Sequence, residues 1–122
     1  MRLTEIKKNR LLGITAIFAL GLLAGCARNP EVVKKKYFDR GTAYFEKGQY
    51  ADAAIEYRNA IRIDPGFAQA HYQLAKSFLK LTDGNRAYLE MQRTVEIEPA
   101  NWDAQLDLAR LLLSARSLSL AR

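Results

Sequence analysis

The sequence predicts an all-α protein: an antiparallel helix-pair solenoid of two full repeats plus a partial third, after an N-terminal signal segment. Three observations predict it. A period of 34 residues pairs small with small and large with large side chains from about Lys34 to Leu113. Within that stretch apolar residues recur three and four apart, the spacing of one helix face. Glycine and proline interrupt the pattern where helices must stop.

The chain opens on an address. Arg2, Lys7, Lys8 and Arg10, offset by Glu5, precede thirteen uncharged residues, Leu11 to Leu23. A basic segment, a short apolar segment and small residues before a cut site define a secretory signal, here residues 1–25. Leu23-Ala24-Gly25-Cys26 resembles the lipobox of bacterial lipoproteins. The resemblance implies that the Cys26 thiol carries lipid, with the signal cut just before it. Residues 26–33 then form a short tether. Small side chains at Ala24 and Gly25 leave the backbone open to a peptidase. The implied location is the bacterial cell envelope, lipid-anchored. Ala27, where an aspartate is the usual inner-membrane retention signal, points to the outer membrane facing the periplasm in a host with two membranes. The uncharged stretch to Ala27 is seventeen residues, so an uncleaved inner-membrane anchor is the alternative.

Helices are expected over 30–46, 51–63, 67–80, 85–97 and 101–113. Asn29-Pro30 suits a start, because asparagine accepts a free amide and proline fits the first turn. Gly48 closes the first helix, Pro65 marks the break after the second, and Asn101 caps the last. The 34-residue offset joins Pro65 with Pro99, Ala53 with Ala87, Glu56 with Glu90, and Tyr57 with Met91. Gly41, Ala75 and Ala109 share one position and lack bulk, so a neighbouring helix can come close. Tyr44, Phe78 and Leu112 lie three residues on and are expected to fill the space beside that crossing.

These residues resemble the tetratricopeptide repeat. The first copy, 34–67, reads Tyr37, Arg40-Gly41, Tyr44, Ala53, Tyr57, Ala60 and Pro65. The second, 68–101, reads His71, Leu74-Ala75, Phe78, Ala87, Met91, Thr94 and Pro99. The third, 102–122, begins with Gln105, Leu108-Ala109 and Leu112 and then loses definition. Arg40 departs from the pattern where an apolar residue is usual, and Thr94 replaces the usual alanine. The resemblance implies a concave groove lined by the first helix of each pair. Carried over by position, it consists of Phe38, Thr42 and Phe45, then Tyr72, Lys76 and Leu79, then Leu106 and Arg110. The resemblance implies that this groove takes an extended or helical peptide. The chaperone-tail clamp of the family is not carried over, since Phe38 and Thr42 stand where its Lys and Asn belong.

Composition agrees with a binding module. The formal charge of +6 falls to +3 from Cys26 onward, an ordinary surface without a basic stripe for nucleic acid. One cysteine excludes an internal disulfide, and one histidine excludes most metal sites. His71 falls at a packing position, and the acid pairs Glu96/Glu98 and Asp103/Asp107 read as solvated surface. No glycine-rich phosphate loop, zinc-helix motif or catalytic constellation is present, so neither enzymatic activity nor a cofactor is expected. The expected role is a noncatalytic adaptor or scaffold for another envelope protein or peptide. Leu106, Leu108, Leu111, Leu112 and Leu113 load the last helix with leucine, yet no solvating helix follows. The expectation is a shortened form of a longer protein, in one version with a catalytic domain beyond Arg122; the alternative is a partner surface.

Overall fold

A computed structural model describes residues 29–120, with side chains to Ser117. The signal, Leu23, Ala24, Gly25 and Cys26 lie outside the described residues. Those described form five helices: α1 (Pro30–Glu46), α2 (Tyr50–Ile63), α3 (Ala68–Lys80), α4 (Gly84–Ile97) and α5 (Trp102–Leu120). α1 packs on α2, α3 on α4, α2 on α3, and α5 on α4. The result is a row of helical hairpins.

Local chemistry sets most boundaries. The Asn29 side chain accepts the Glu31 amide at 3.0 Å, with Pro30 in the first turn. Asp83 and Asn101 cap α4 and α5 by accepting the amides of Arg86 and Ala104. Gly48 leaves α1 at a φ of 75°, where only glycine is unstrained, and its N–H reaches the Phe45 carbonyl. Thr82 occupies the same place after α3, one period later, and adopts a φ of 60°. A β-branched residue there stores strain.

The helices meet through a size match. A Cβ placed on Gly41 lies 2.7 and 2.8 Å from ring carbons of Tyr57, which is fully buried. One period on, Ala75 packs in a cluster with the buried Met91. The flexible thioether accommodates the methyl that the rigid ring excludes. Around these contacts run Ala53, Ala54, Leu74, Phe78 and Ala87, then Ala104, all buried. Tyr44 packs on the first cluster.

Two expectations about the last helix need correction. α5 runs to Leu120, not to residue 113, because Ser114–Leu120 holds neither glycine nor proline to break the helix. Leu112 fills no crossing: it is half exposed, and Ala109 is exposed too, because no second helix lies over them among the described residues.

Gly41→Ala forces its methyl into the Tyr57 ring and costs about 1–3 kcal/mol. Thr82→Gly relieves the turn and stabilises by about 1 kcal/mol. For a domain of this size each kcal/mol moves the melting temperature by about 4–8 °C. Circular-dichroism melts are expected to show a lowered midpoint for the first variant and a raised one for the second.

Candidate functional site

α1 and α3 lie side by side and carry aromatic and basic residues on a shared face. The Lys76 ammonium on α3 sits 5.7 Å from the centre of the Phe45 ring on α1 and 5.4 Å from that of Tyr72. Both fall within cation–π reach. One helical turn along, Lys80 lies 6.0 Å from the Tyr50 ring, and Tyr50 meets Phe45 edge to face. α5 supplies the opposite wall. The Tyr72 hydroxyl donates to Asp107 at 2.9 Å, and Arg110 pairs with the other oxygen of Asp107 at 3.2 Å. Between α3 and α5 a cleft of about 340 Å³ is lined by Lys76, Leu79, Lys80, Asp107, Arg110, Leu111 and Ser114.

Burial and the adjoining carboxylates of Asp107 and Asp103 push the Tyr72 phenol up to about 12, so it stays a donor at any physiological pH. Among the described residues neither Lys76 nor Lys80 has a carboxylate within ion-pair distance. Their charge is held by ring faces only. The cleft therefore offers apolar walls in Leu79 and Leu111 and two cations that a carboxylate can still engage.

The residues expected to line a groove divide. Phe45, Tyr72, Lys76, Leu79 and Arg110 come together. Phe38 lines a separate cleft of about 610 Å³ with Lys34, Phe67 and Gln69, and both Phe38 and Thr42 also pack inward. Phe38 stacks on Tyr57 and Phe67, while Thr42 donates to the Phe38 carbonyl and accepts the Tyr57 hydroxyl. Leu106 lies off the cleft and is half exposed. Asp107 is not plain surface but a half-buried acceptor. Lys80, Asp107, Leu111 and Ser114 were not legible as cleft residues, although Lys80 follows Lys76 by the four residues that keep one face.

Two glutamates at one repeat position hold the hairpins in register. Glu56 on α2 accepts from Arg40 on α1 at 2.8 Å, which explains why an arginine is tolerated at that packing position. Glu90 on α4 meets His71 Nδ1 at 2.7 Å, while His71 Nε2 faces the Pro65 carbonyl at 3.0 Å. Tyr37, the counterpart of His71, lies half buried under the Arg40 guanidinium. Pro65 and Pro99 are exposed at the ends of α2 and α4.

Among the described residues no group of three or more His, Cys, Asp or Glu could hold a metal ion. No described helix is long and apolar enough to cross a membrane.

Residues 41–81 match the family model of the TPR repeat. The chain is 41% identical over 59 residues to the tetratricopeptide repeat and J domain-containing co-chaperone DNJ1 of Cryptococcus neoformans var. grubii. That match takes in 48% of this chain and 11% of the relative, so the chain spans about a tenth of that protein. Among solved structures, it resembles the first TPR of Spaghetti (RPAP3) bound to the HSP90 peptide SRMEEVD. The TM-score is 0.62 at 23% identity, over 77% of this chain and 68% of that one, a likeness of fold. The all-helical, TPR-like architecture is thereby established.

His71 gives a pH dependence whose sign follows from geometry. Burial alone lowers its pKa, but the Glu90 carboxylate and Pro65 carbonyl outweigh this and raise it above the usual 6.5. Only the imidazolium donates to both oxygens. A folded-state pKa above the unfolded one contributes stability fully below about 6.5 and loses it as pH rises through the folded value. The melting temperature is expected to fall as pH rises above about 6.5, the usual histidine value. His71→Gln removes that dependence; a variant as pH-sensitive as wild type contradicts the assignment.

Proposed function

We propose that the protein is a noncatalytic adaptor that captures a peptide or helix of another protein in the α3–α5 cleft and its extension over Phe45. The observation that carries this reading is Lys76, held between the Phe45 and Tyr72 rings with no carboxylate in ion-pair distance among the described residues. A fixed cation beside Leu79 and Leu111 suits a segment with an apolar anchor followed by an acid. The TPR match over residues 41–81 supports a protein partner. The HSP90 peptide and co-chaperone named with two similar proteins support the same broad class, a peptide ligand and an assembly role.

The cleft works by preorganisation. Tyr72 is fixed at its hydroxyl by Asp107, and Lys76 lies against two rings, so little side-chain freedom is lost on binding. Arg110 is partly satisfied by Asp107 and sets the far edge. Selection of a displayed random-peptide library on the protein is expected to enrich a bulky apolar residue near Asp or Glu. Phe45→Ala together with Tyr72→Ala weakens the selected peptides at least tenfold, roughly 1.4 kcal/mol, while far-ultraviolet circular dichroism keeps its helical signature. Lys76→Glu weakens them and flattens the salt dependence. Unchanged affinity in both variants sinks the cleft as the site.

We further propose that this adaptor is a lipoprotein of the bacterial cell envelope, anchored through Cys26. Leu23-Ala24-Gly25-Cys26, directly after the apolar run, supports the reading. Two or more acyl chains anchor stably where one does not. Only Ala27 and Arg28 separate Cys26 from Asn29, the cap of α1, so residues 30–33 belong to the helix and the cleft stays close to the bilayer, which favours a client that is itself at the membrane. Metabolic labelling with a fatty-acid probe is expected to mark wild type and not Cys26→Ser. Equal labelling of both contradicts the anchor.

A further inference from the structure

The last helix is apolar on two opposite sides. Successive residues turn by about 100° around a helix. Ala104, Leu108 and Leu111 fall on one stripe, and these face the core: Ala104 is fully buried, while Leu108 and Leu111 pack against the two clusters. Trp102, Leu106, Ala109 and Leu113 fall on the opposite stripe. Trp102 is 75% exposed, Leu113 66% and Leu106 50%. A helix with apolar residues on both sides is one that packs on both sides. The outer stripe recurs at intervals of four, three and four residues, the spacing of a seam between two helices.

The composition of this seam singles out its occupant. We propose that α5 is a self-association surface and that a second copy of this chain packs its own α5 antiparallel across the outer stripe. The register is set by size. With the two-fold axis between Asp107 and Leu108, Leu106 of one copy lies opposite Ala109 of the other, and Trp102 lies opposite Leu113. Large thus meets small at the centre, and two large residues close each end. The same register brings Asp103 of one copy beside Arg110 of the other, twice by symmetry, on one flank of the seam. Neither residue is committed elsewhere in a way that forbids it. The Asp103 carboxylate has no ion pair among the described residues, and the Arg110 side chain is 67% exposed with its pairing to Asp107 leaving donors to spare. A parallel pair loses this match, because the flank with Asp103 and Arg110 then meets the opposite flank of the other copy, with Gln105 and Leu112. A C2 interface requires one patch to be its own complement, and the α5 stripe meets that condition in both shape and charge. The stripe itself is distinct from the cleft, whose α5 residues are Asp107, Arg110, Leu111 and Ser114; of the flanking pair, Arg110 borders both and Asp103 adjoins Tyr72.

The test exchanges charges. In the full chain in detergent, sedimentation velocity is expected to show a dimer for wild type. Asp103→Arg sets Arg against Arg in the homodimer, and Arg110→Asp sets Asp against Asp, so each alone weakens association at least about tenfold. Mixed in equal amounts, the two variants restore opposite charges at both contacts. The introduced arginine of one meets the introduced aspartate of the other, native Arg110 meets native Asp103, and a heterodimer of wild-type strength forms. Leu106→Glu abolishes association, with circular dichroism confirming that the helices persist. Three results overturn the proposal: a wild-type monomer at all accessible concentrations, which assigns the stripe to a different protein or a further helix; homodimers indifferent to both reversals, which places association elsewhere in the chain; or two weakened variants that fail to restore each other.

Discussion

The close approach of paired helices is the constraint on which everything else rests. Gly41 has no side chain because Tyr57 fills the place one would take. Ala75 carries one methyl, and the Tyr57 position one period on holds the flexible Met91, buried in the same cluster. These two contacts fix the spacing of α1 against α2 and of α3 against α4 and are related by the 34-residue period. Once each hairpin is closed at that spacing, α2 packs on α3, and the first helices of the hairpins are left side by side. The neighbourhood of Phe45, Tyr72 and Lys76 is a consequence of that stacking.

Polar groups inside the hairpins serve the same end. Glu56 and Glu90 occupy one repeat position and each reaches across to a base on the preceding helix, but to bases one turn apart in the repeat, Arg40 and His71. Breaking such a pair from one side leaves a charge without its partner in a half-buried place. The two pairs therefore oppose sliding of one helix along the other, a motion that apolar packing alone resists weakly. They also explain how an arginine can stand where the repeat pattern calls for an apolar side chain.

The fold was legible because its signals are local and repeated. The small residues at Gly41 and Ala75, the stop at Gly48 and the caps at Asn29 and Asn101 all act within one or two turns of where they lie. Part of the cleft was legible for the same reason, since Lys76 and Leu79 on one helix and Arg110 on another follow helical spacing, with Phe45 and Tyr72 beside them. What escaped depends on contacts between elements. Asp107 reads as a surface acid until α5 docks and places it under the Tyr72 hydroxyl. Phe38 reads as a groove aromatic, but its neighbour Phe67, which the α2–α3 turn brings against it in a second cleft, gives no such sign in the sequence. Leu112 follows the period in sequence but is half exposed, since among the described residues no helix lies over it. Thr82 shows the converse: its strained backbone was invisible in the sequence because a threonine gives no sign that its position, one period from Gly48, needs a positive φ.

The most direct measurement of the central contact is a double-mutant cycle on Gly41 and Tyr57, read by urea unfolding. Gly41→Ala and Tyr57→Met each destabilise alone, the first by overlap with the ring and the second by loss of it. Together they recreate the alanine–methionine pairing already present at Ala75 and Met91. The double variant is expected to be more stable than the sum of the single effects predicts, by about 1 kcal/mol or more, the range for residues in direct contact. Strict additivity would mean that the ring does not exclude the methyl, and that something other than this contact sets the helix spacing.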